Sequence, residues 1–360
     1  MKRNTKNMMT FKRLSILGLM AVLILGTAIS CKEDPQPTPE FDKASLLVNI
    51  ADNQIIPAIN DFETKINTLE TDYLAFQANQ NATTFEAVRN SWKAAYISWQ
   101  TVKIYDFGPV RDYALKGATA TYPTDTAKIN ANIASGSYTL GTAANVDAIG
   151  LPSLDYLLYR SDALNEMINS TNATQYGLDV IQKMKTEIGT VKSQWTSYRS
   201  TFIASTGTET TSSFSEFVNE FNRDYELAKN AKVGIPIGKQ SLDIALPEYF
   251  EARYSGFSFE LLEASIIALR DAYTGGSGVG FDDYLLHLER SALNNTINTN
   301  FAGILTKIGT FNGTMEEETA NNWADMNDLY TLLQGQVVYL KTDMTSAFGV
   351  LITYQDNDGD

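Results

Sequence analysis

The residues of this 360-residue chain that could do chemistry are few and widely spaced. In "IGLPSLDYLLYR", residues 149–160, Gly150 breaks the chain, Pro152 takes a first-turn helical position, and Asp155 follows three residues later on the same face. A metal-binding stretch of this form would carry a donor at both positions. Proline has none, so the stretch is either a site with one ligand missing or a helix start whose Asp155 is favoured by the macrodipole. The only histidine, His287 in "FDDYLLHLERS", lies beside the apolar face of Phe281, Tyr284, Leu285 and Leu288, a flank position near Asp283 rather than that of a catalytic base. A single histidine excludes a His-rich zinc site, and no spacing supports a Ser-His-Asp or Cys-His nucleophile. Asp356, Asp358 and Asp360 alternate as at the start of a calcium loop. The glycine comes too early and no bidentate glutamate follows, so the run reads as a solvated acidic tail. "TGGSGVG", residues 274–280, lacks the spacing and the Lys-Ser/Thr of a phosphate loop and reads as a helix-to-helix connection.

These candidates must be carried by helices. From Leu47, the residues Ile50, Ile55, Ile59, Phe62, Ile66, Leu69, Tyr73 and Phe76 mark one face of a long helix, which Pro57 is expected to kink. Phe85, Val88, Trp92, Ala95, Trp99 and Val102 mark a second, stopped at Phe107-Gly108-Pro109. The tryptophans at this spacing read as core. Further helices are expected near 174–204, 211–231, 257–273, 281–309 and 317–348. The fold class is all-α, two packed helical bundles: residues 41–204 and 214–360, joined by the linker-like "STGTETTSS", 205–213.

Ahead of them, a basic start (Lys2, Arg3, Lys6, Lys12, Arg13) runs into an apolar stretch, Leu14 to Ile29, and then the only cysteine, Cys31. This is a secretory signal, too short and one-sided for a membrane span. Ala28-Ile29-Ser30-Cys31 resembles a bacterial lipobox, which implies cleavage after residue 30, lipidation of Cys31 and a tether over 31–40. Lys32-Glu33-Asp34 resembles the surface-export signals of Bacteroidetes lipoproteins. The expected location is the outer membrane or cell surface, on either leaflet. Losing the five leader cations takes the formal charge from −14 to −19, a field that disfavours nucleic acid and attracts cations or basic ligands. With no second cysteine there is no internal disulfide, and stability rests on the core.

Several segments together resemble the imelysin-like proteins, which include iron-regulated protein A and the insulin-cleaving membrane protease. The family signature Gly-x-His-x-x-Glu, followed by an aromatic and two leucines, aligns with Gly150 to Leu158, with Pro152 at the histidine and Asp155 at the glutamate. "SWKAAYISWQTVKIYDFGP" is similar to the family's Trp-containing helix, "EARYSGFSFELL" to its Glu-x-x-Tyr-Ser-x-x-Ser segment, and "FGVLITYQDNDGD" to its C-terminus. The resemblance implies two packed helical bundles with the signature at their interface. For function it implies either a metallopeptidase or a component of iron uptake at the bacterial envelope, with iron or zinc as the cofactor class. Here the motif is degenerate, and Lys103 stands where a family acid is expected, so an ion pair of Lys103 with Asp155 or Glu251 would fill the cation's place.

The leading expectation is therefore a non-enzymatic, lipid-anchored envelope protein binding a ligand or partner at an interdomain cleft in iron or haem acquisition, with envelope iron-uptake proteins as partners. The alternative is a metal-dependent peptidase with a rearranged acidic site. The expected cleft residues are Lys103, Asp155, Glu251, Arg253 and Ser255, with Trp99 and Tyr156 as aromatic walls. Glu251 and Ser255 are an i, i+4 pair if their segment is helical, or a capping arrangement before the helix at 257.

Overall fold

Several helix starts in this chain are set by side-chain caps. In a computed structural model describing residues 40–354, Asp42 accepts the Ser45 N–H at the head of α1 (Lys43–Ile50). Asn81 and Thr84 form a capping box at the head of α3 (Ala82–Val102). Between them, α2 (Ile56–Ala78) follows a π-helical turn, Ala51–Ile55. Pro57 sits at the head of α2, so the missing N–H is absorbed by the wide turn before it rather than by a mid-helix kink.

The α2 and α3 stripes pack against each other: Phe62 meets Trp99 at 5.4 Å and Phe76 meets Phe85 at 5.1 Å. Trp92 and Trp99 are both buried, as their spacing implied. Short pieces follow: a 3-10 turn (Lys103–Tyr105), α4 (Pro109–Asp112), α5 (Leu115–Thr119), α6 (Thr126–Ser135), a second 3-10 turn (Ala143–Ala148), α7 (Gly150–Tyr159) and α8 (Ala163–Asn169). The long α9 (Thr171–Ala204) then lies along α2, tied by Tyr73 Oη donating to the Thr174 carbonyl at 3.0 Å and by the Lys192–Glu63 ion pair at 2.6 Å.

Residues 205–213 form a pinned connection, with Phe214 N–H on Ser205 O and Ser213 N–H on Ser205 Oγ. Beyond them come α10 (Ser213–Lys229), a π-helical turn (Asn230–Gly234), a 3-10 turn (Pro247–Tyr249) and α11 (Ser258–Thr274). The remainder comprises α12 (Phe281–His287), α13 (Ser291–Ile308), α14 (Met315–Asn321), α15 (Trp323–Val337), a π-helical turn (Val338–Met344) and α16 (Thr345–Phe348).

Two expected long helices are thus broken. The stretch 281–309 is divided where Glu289 takes a left-handed conformation (φ 59°), and 317–348 divides at Asn322 and again at the π turn. All described elements are helical, and no described helix is long and apolar enough to cross a membrane. Among the described residues, those from Asp42 onward form one compact unit. The leader, Cys31, most of the tether and the acidic run at 356–360 lie outside the described residues.

Candidate functional site

α7 begins where only glycine fits. Gly150 has φ +81°, and a Cβ there would come within 2.3 Å of the Thr119 carbonyl at the end of α5. Close approach of these backbones sets Pro152 in the first turn, which needs no donor, and buries Asp155 one turn on. Both oxygens of the Asp155 carboxylate are engaged: one accepts the Tyr254 N–H and the other the Ser255 N–H, each at 3.0 Å. Burial pushes its pKa up to about 6, against the lowering effect of the bonds from Ser255 and Tyr254. Asp155 therefore clamps the turn that leads into α11. That turn is not helical, since Ala252 (φ 54°) and Gly256 (φ 68°) are left-handed, so Glu251 and Ser255 are not an i, i+4 helical pair. Ser255 Oγ instead donates to the Ala252 carbonyl at 3.0 Å.

Two cavities flank Tyr122. The smaller, about 290 Å³, is lined by Pro152, Asp155, Arg253 and Tyr254 among others. Arg253 lays its guanidinium over the Tyr254 ring at 5.4 Å. The larger, about 460 Å³, falls within the range of roughly 300–1,000 Å³ typical of small-molecule pockets and has Trp99, Tyr122 and Leu227 as apolar walls. Tyr156 lines neither: its ring packs edge-on against Tyr254 at 5.1 Å and its hydroxyl pairs with Asn130. It is not a cavity wall.

Charge is concentrated in the larger cavity. Lys103 ends α3 and reaches Asp224 of α10 at 2.5 Å, with both side chains less than a tenth exposed. The π turn after α10, marked by the Ile235 N–H on the Asn230 carbonyl, carries Lys232 into the wall, where it pairs with Glu251. The expected pairing of Lys103 with Asp155 or Glu251 is thus corrected in its partners. Asp155 is held by backbone N–H groups, Glu251 by Lys232, and Lys103 by Asp224.

Burial lowers the Lys232 pKa against the pull of Glu251, and the neighbouring Lys103 ammonium adds to the lowering. Burial also lowers Lys116, whose one ion-pair contact among the described residues is Asp106 at 3.9 Å. Tyr122 is held neutral by burial and by the nearby Glu251 and Asp224 charges.

The donor set does not fit a metal ion. Pro152 offers no atom, both Asp155 oxygens accept N–H bonds, and Asp224 and Glu251 are met by ammonium groups. Among the described residues no group of three or more His, Cys, Asp or Glu is placed to hold one.

The sequence profile of the Imelysin (Peptidase M75) family matches residues 55–343. The chain belongs to the imelysin family. Its fold is that of an imelysin-like protein from Psychrobacter arcticum 273-4, with TM-score 0.73 at 17% identity. It is also that of a candidate iron-regulated protein A precursor from Parabacteroides distasonis ATCC 8503, with TM-score 0.74 at 15% identity. Each comparison spans 87% of this chain and 97% of the other, and at such identities the likeness speaks to the fold alone. No functionally curated protein is significantly similar in sequence.

Sequence reasoning missed Asp224, Lys232, Lys116 and Tyr122 of this imelysin cavity. Asp224 did leave a signal. It falls at helical spacing with Phe217, Phe221 and Ala228, an acid on the buried face of an amphipathic helix that must find a partner inside. Lys116 and Tyr122 lie among short helices and loops, where no periodicity marks a face.

Proposed function

We propose that this imelysin-family chain is a lipid-anchored envelope protein that binds a ligand in the larger cavity and cleaves no substrate. One observation carries the reading: the carboxylates around the family motif are already committed within the protein, Asp155 to two backbone N–H groups, Glu251 to Lys232 and Asp224 to Lys103. A hydrolytic metal centre needs about three protein ligands and an open position, and here ammonium groups hold that ground. A role in iron or haem acquisition at the outer membrane or cell surface is supported by the family and by the naming of the Parabacteroides distasonis relative after iron-regulated protein A. Anchoring rests on the lipobox-like run ending at Cys31.

The test is metal content by mass spectrometry on the full chain extracted in detergent, dialysed with and without iron and zinc, alongside a cleavage assay on a protein substrate. Metal-poor, inactive protein is the expected result. Stoichiometric metal together with chelator-sensitive cleavage would establish the peptidase reading instead. Intact mass of the same preparation is expected to show an acylated N-terminus at Cys31.

A further inference from the structure

We infer that the larger cavity receives a small organic carboxylate with an apolar body and one hydrogen-bond donor, its carboxylate on Lys116 and its donor on Asp224 Oδ1. This rests on the ligand-binding reading above and adds the ligand's class. The first support is the balance of donors and acceptors. Lys103, Lys116 and Lys232 line the cavity, and each ammonium carries three N–H donors and no acceptor. Lys103 bonds Asp224, Lys232 bonds Glu251, and Lys116 makes no hydrogen bond among the described residues, its contact with Asp106 being 3.9 Å. Donors are left over, and what satisfies them is an oxygen-rich anion.

With Arg111 held by Glu216 at 3.1 Å, the lining sets Lys103, Lys116 and Lys232 against Asp224, Asp106 and Glu251, and the loosest of these pairs is Lys116 with Asp106 at 3.9 Å. A free cation entering here would meet ammonium groups at every carboxylate.

The second, independent observation is an orphaned acceptor. Asp224 is 3% exposed, one oxygen is on Lys103, and Oδ1 is buried with no hydrogen-bond partner among the described residues. Leaving such an atom unpaired is costly, and a turn of the Asp224 carboxylate toward the cavity it lines would let an ammonium or hydroxyl on the ligand pair it. Trp99, Tyr122 and Leu227 supply flat and aliphatic walls for the rest of the molecule. Inorganic phosphate matches the cations but leaves these walls uncovered.

Four probes separate the parts: L-phenylalanine and 3-phenyllactate carry both groups, hydrocinnamate lacks the donor, and phenethylamine lacks the carboxylate. Thermal shift and calorimetry on the full detergent-extracted chain are expected to rank the first two highest. Hydrocinnamate should bind about tenfold more weakly, a change of the size of one hydrogen bond, and phenethylamine not at all. Lys116→Gln is expected to weaken the carboxylates about tenfold, and Lys116→Arg to keep them. The Lys116 side chain is half-buried, and an unchanged melting temperature of the unliganded variant checks its fold.

Binding of phenethylamine in preference to the acids, or equal binding by Lys116→Gln, would overturn the inference. If Lys116→Gln does not fold, the ranking of the four probes and the Lys116→Arg result decide. Metal content is measured in the same samples. Stoichiometric iron or zinc together with chelator-sensitive cleavage overturns the underlying reading and this one with it, whereas metal-free protein that ignores all four probes overturns the ligand class alone.

Discussion

Asp155 is the residue whose chemistry the fold has redirected, and its titration offers a direct check. Its folded pKa, about 6, lies above the ordinary value of 3.8, because burial penalises the charge more than the two N–H bonds favour it. The folded state therefore holds the proton more tightly between those values. The resulting stabilisation is fully present below about pH 4 and is lost as pH rises through about 6. At about 1.4 kcal/mol per unit it is on the order of 2–3 kcal/mol. Urea unfolding of wild type and Asp155→Asn across pH 3.5–7 should show the wild type losing stability relative to the variant over this window. Parallel curves would mean that Asp155 titrates normally. The buried pair Lys103–Asp224 makes a second case. Asp224→Asn leaves an ammonium uncompensated in the interior and is expected to cost about 3–5 kcal/mol in chemical denaturation, whereas Lys103→Met with Asp224→Leu should recover most of that loss. A double variant as unstable as the single one would show that the charges themselves are required.

At the scale of elements, the start of α7 depends on one backbone contact. Gly150→Ala forces a Cβ against the Thr119 carbonyl at a left-handed φ, and neither backbone can yield without moving α5, which carries Lys116. A loss of about 2–4 kcal/mol is expected from strain and overpacking together, read by thermal unfolding. Unchanged stability would mean that α5 and α7 slide freely. The same stretch shows what sequence could and could not tell. Long stripes such as Ile59 to Phe76 and Phe85 to Val102 were legible because period 3.6 over several turns has one interpretation. Their interruptions were less so. The left-handed Glu289 has no local glycine or proline to announce the break, and Pro57 announces the π turn at 51–55 only as an expected kink. At the site, Lys103, Asp155 and Glu251 stood out through the family resemblance, but the partners of Lys103 and Asp155 lie across the fold, 121 residues away for Lys103 and 99 and 100 for Asp155. Spacing along the chain carries no information on pairing over such separations.

At the scale of the whole molecule, the helices before and after residues 205–213 complete each other's cores. Phe217 of α10 packs against Tyr105 and Phe107 at 6.0 and 6.3 Å, and Phe257 packs against Trp92 at 6.1 Å. Asn49 donates to the carbonyls of Gly275 and Val279 at the other end of α11. With Lys103–Asp224 and the Asp155 clamp, these ties run along α10 and from end to end of α11, so opening either group exposes aromatic surface and strands buried charge in the other. Contacts of this kind make unfolding cooperative, because no partial structure keeps most of the favourable terms. The expected result is one transition by far-UV circular dichroism coincident with that by tryptophan fluorescence. The fluorescence transition is dominated by Trp92, Trp99 and Trp195 before the connection, with Trp323 alone beyond it. Residues 40–204 and 213–354 produced separately are expected to lack fixed tertiary packing and to bind a hydrophobic dye. Two resolved transitions, or a half that folds alone, would show that the groups are autonomous and that the cavity lined by Lys103 and Asp224 can open without global unfolding. A single transition means that the two groups of helices hold the cavity only together, so that its lining exists only in the complete chain.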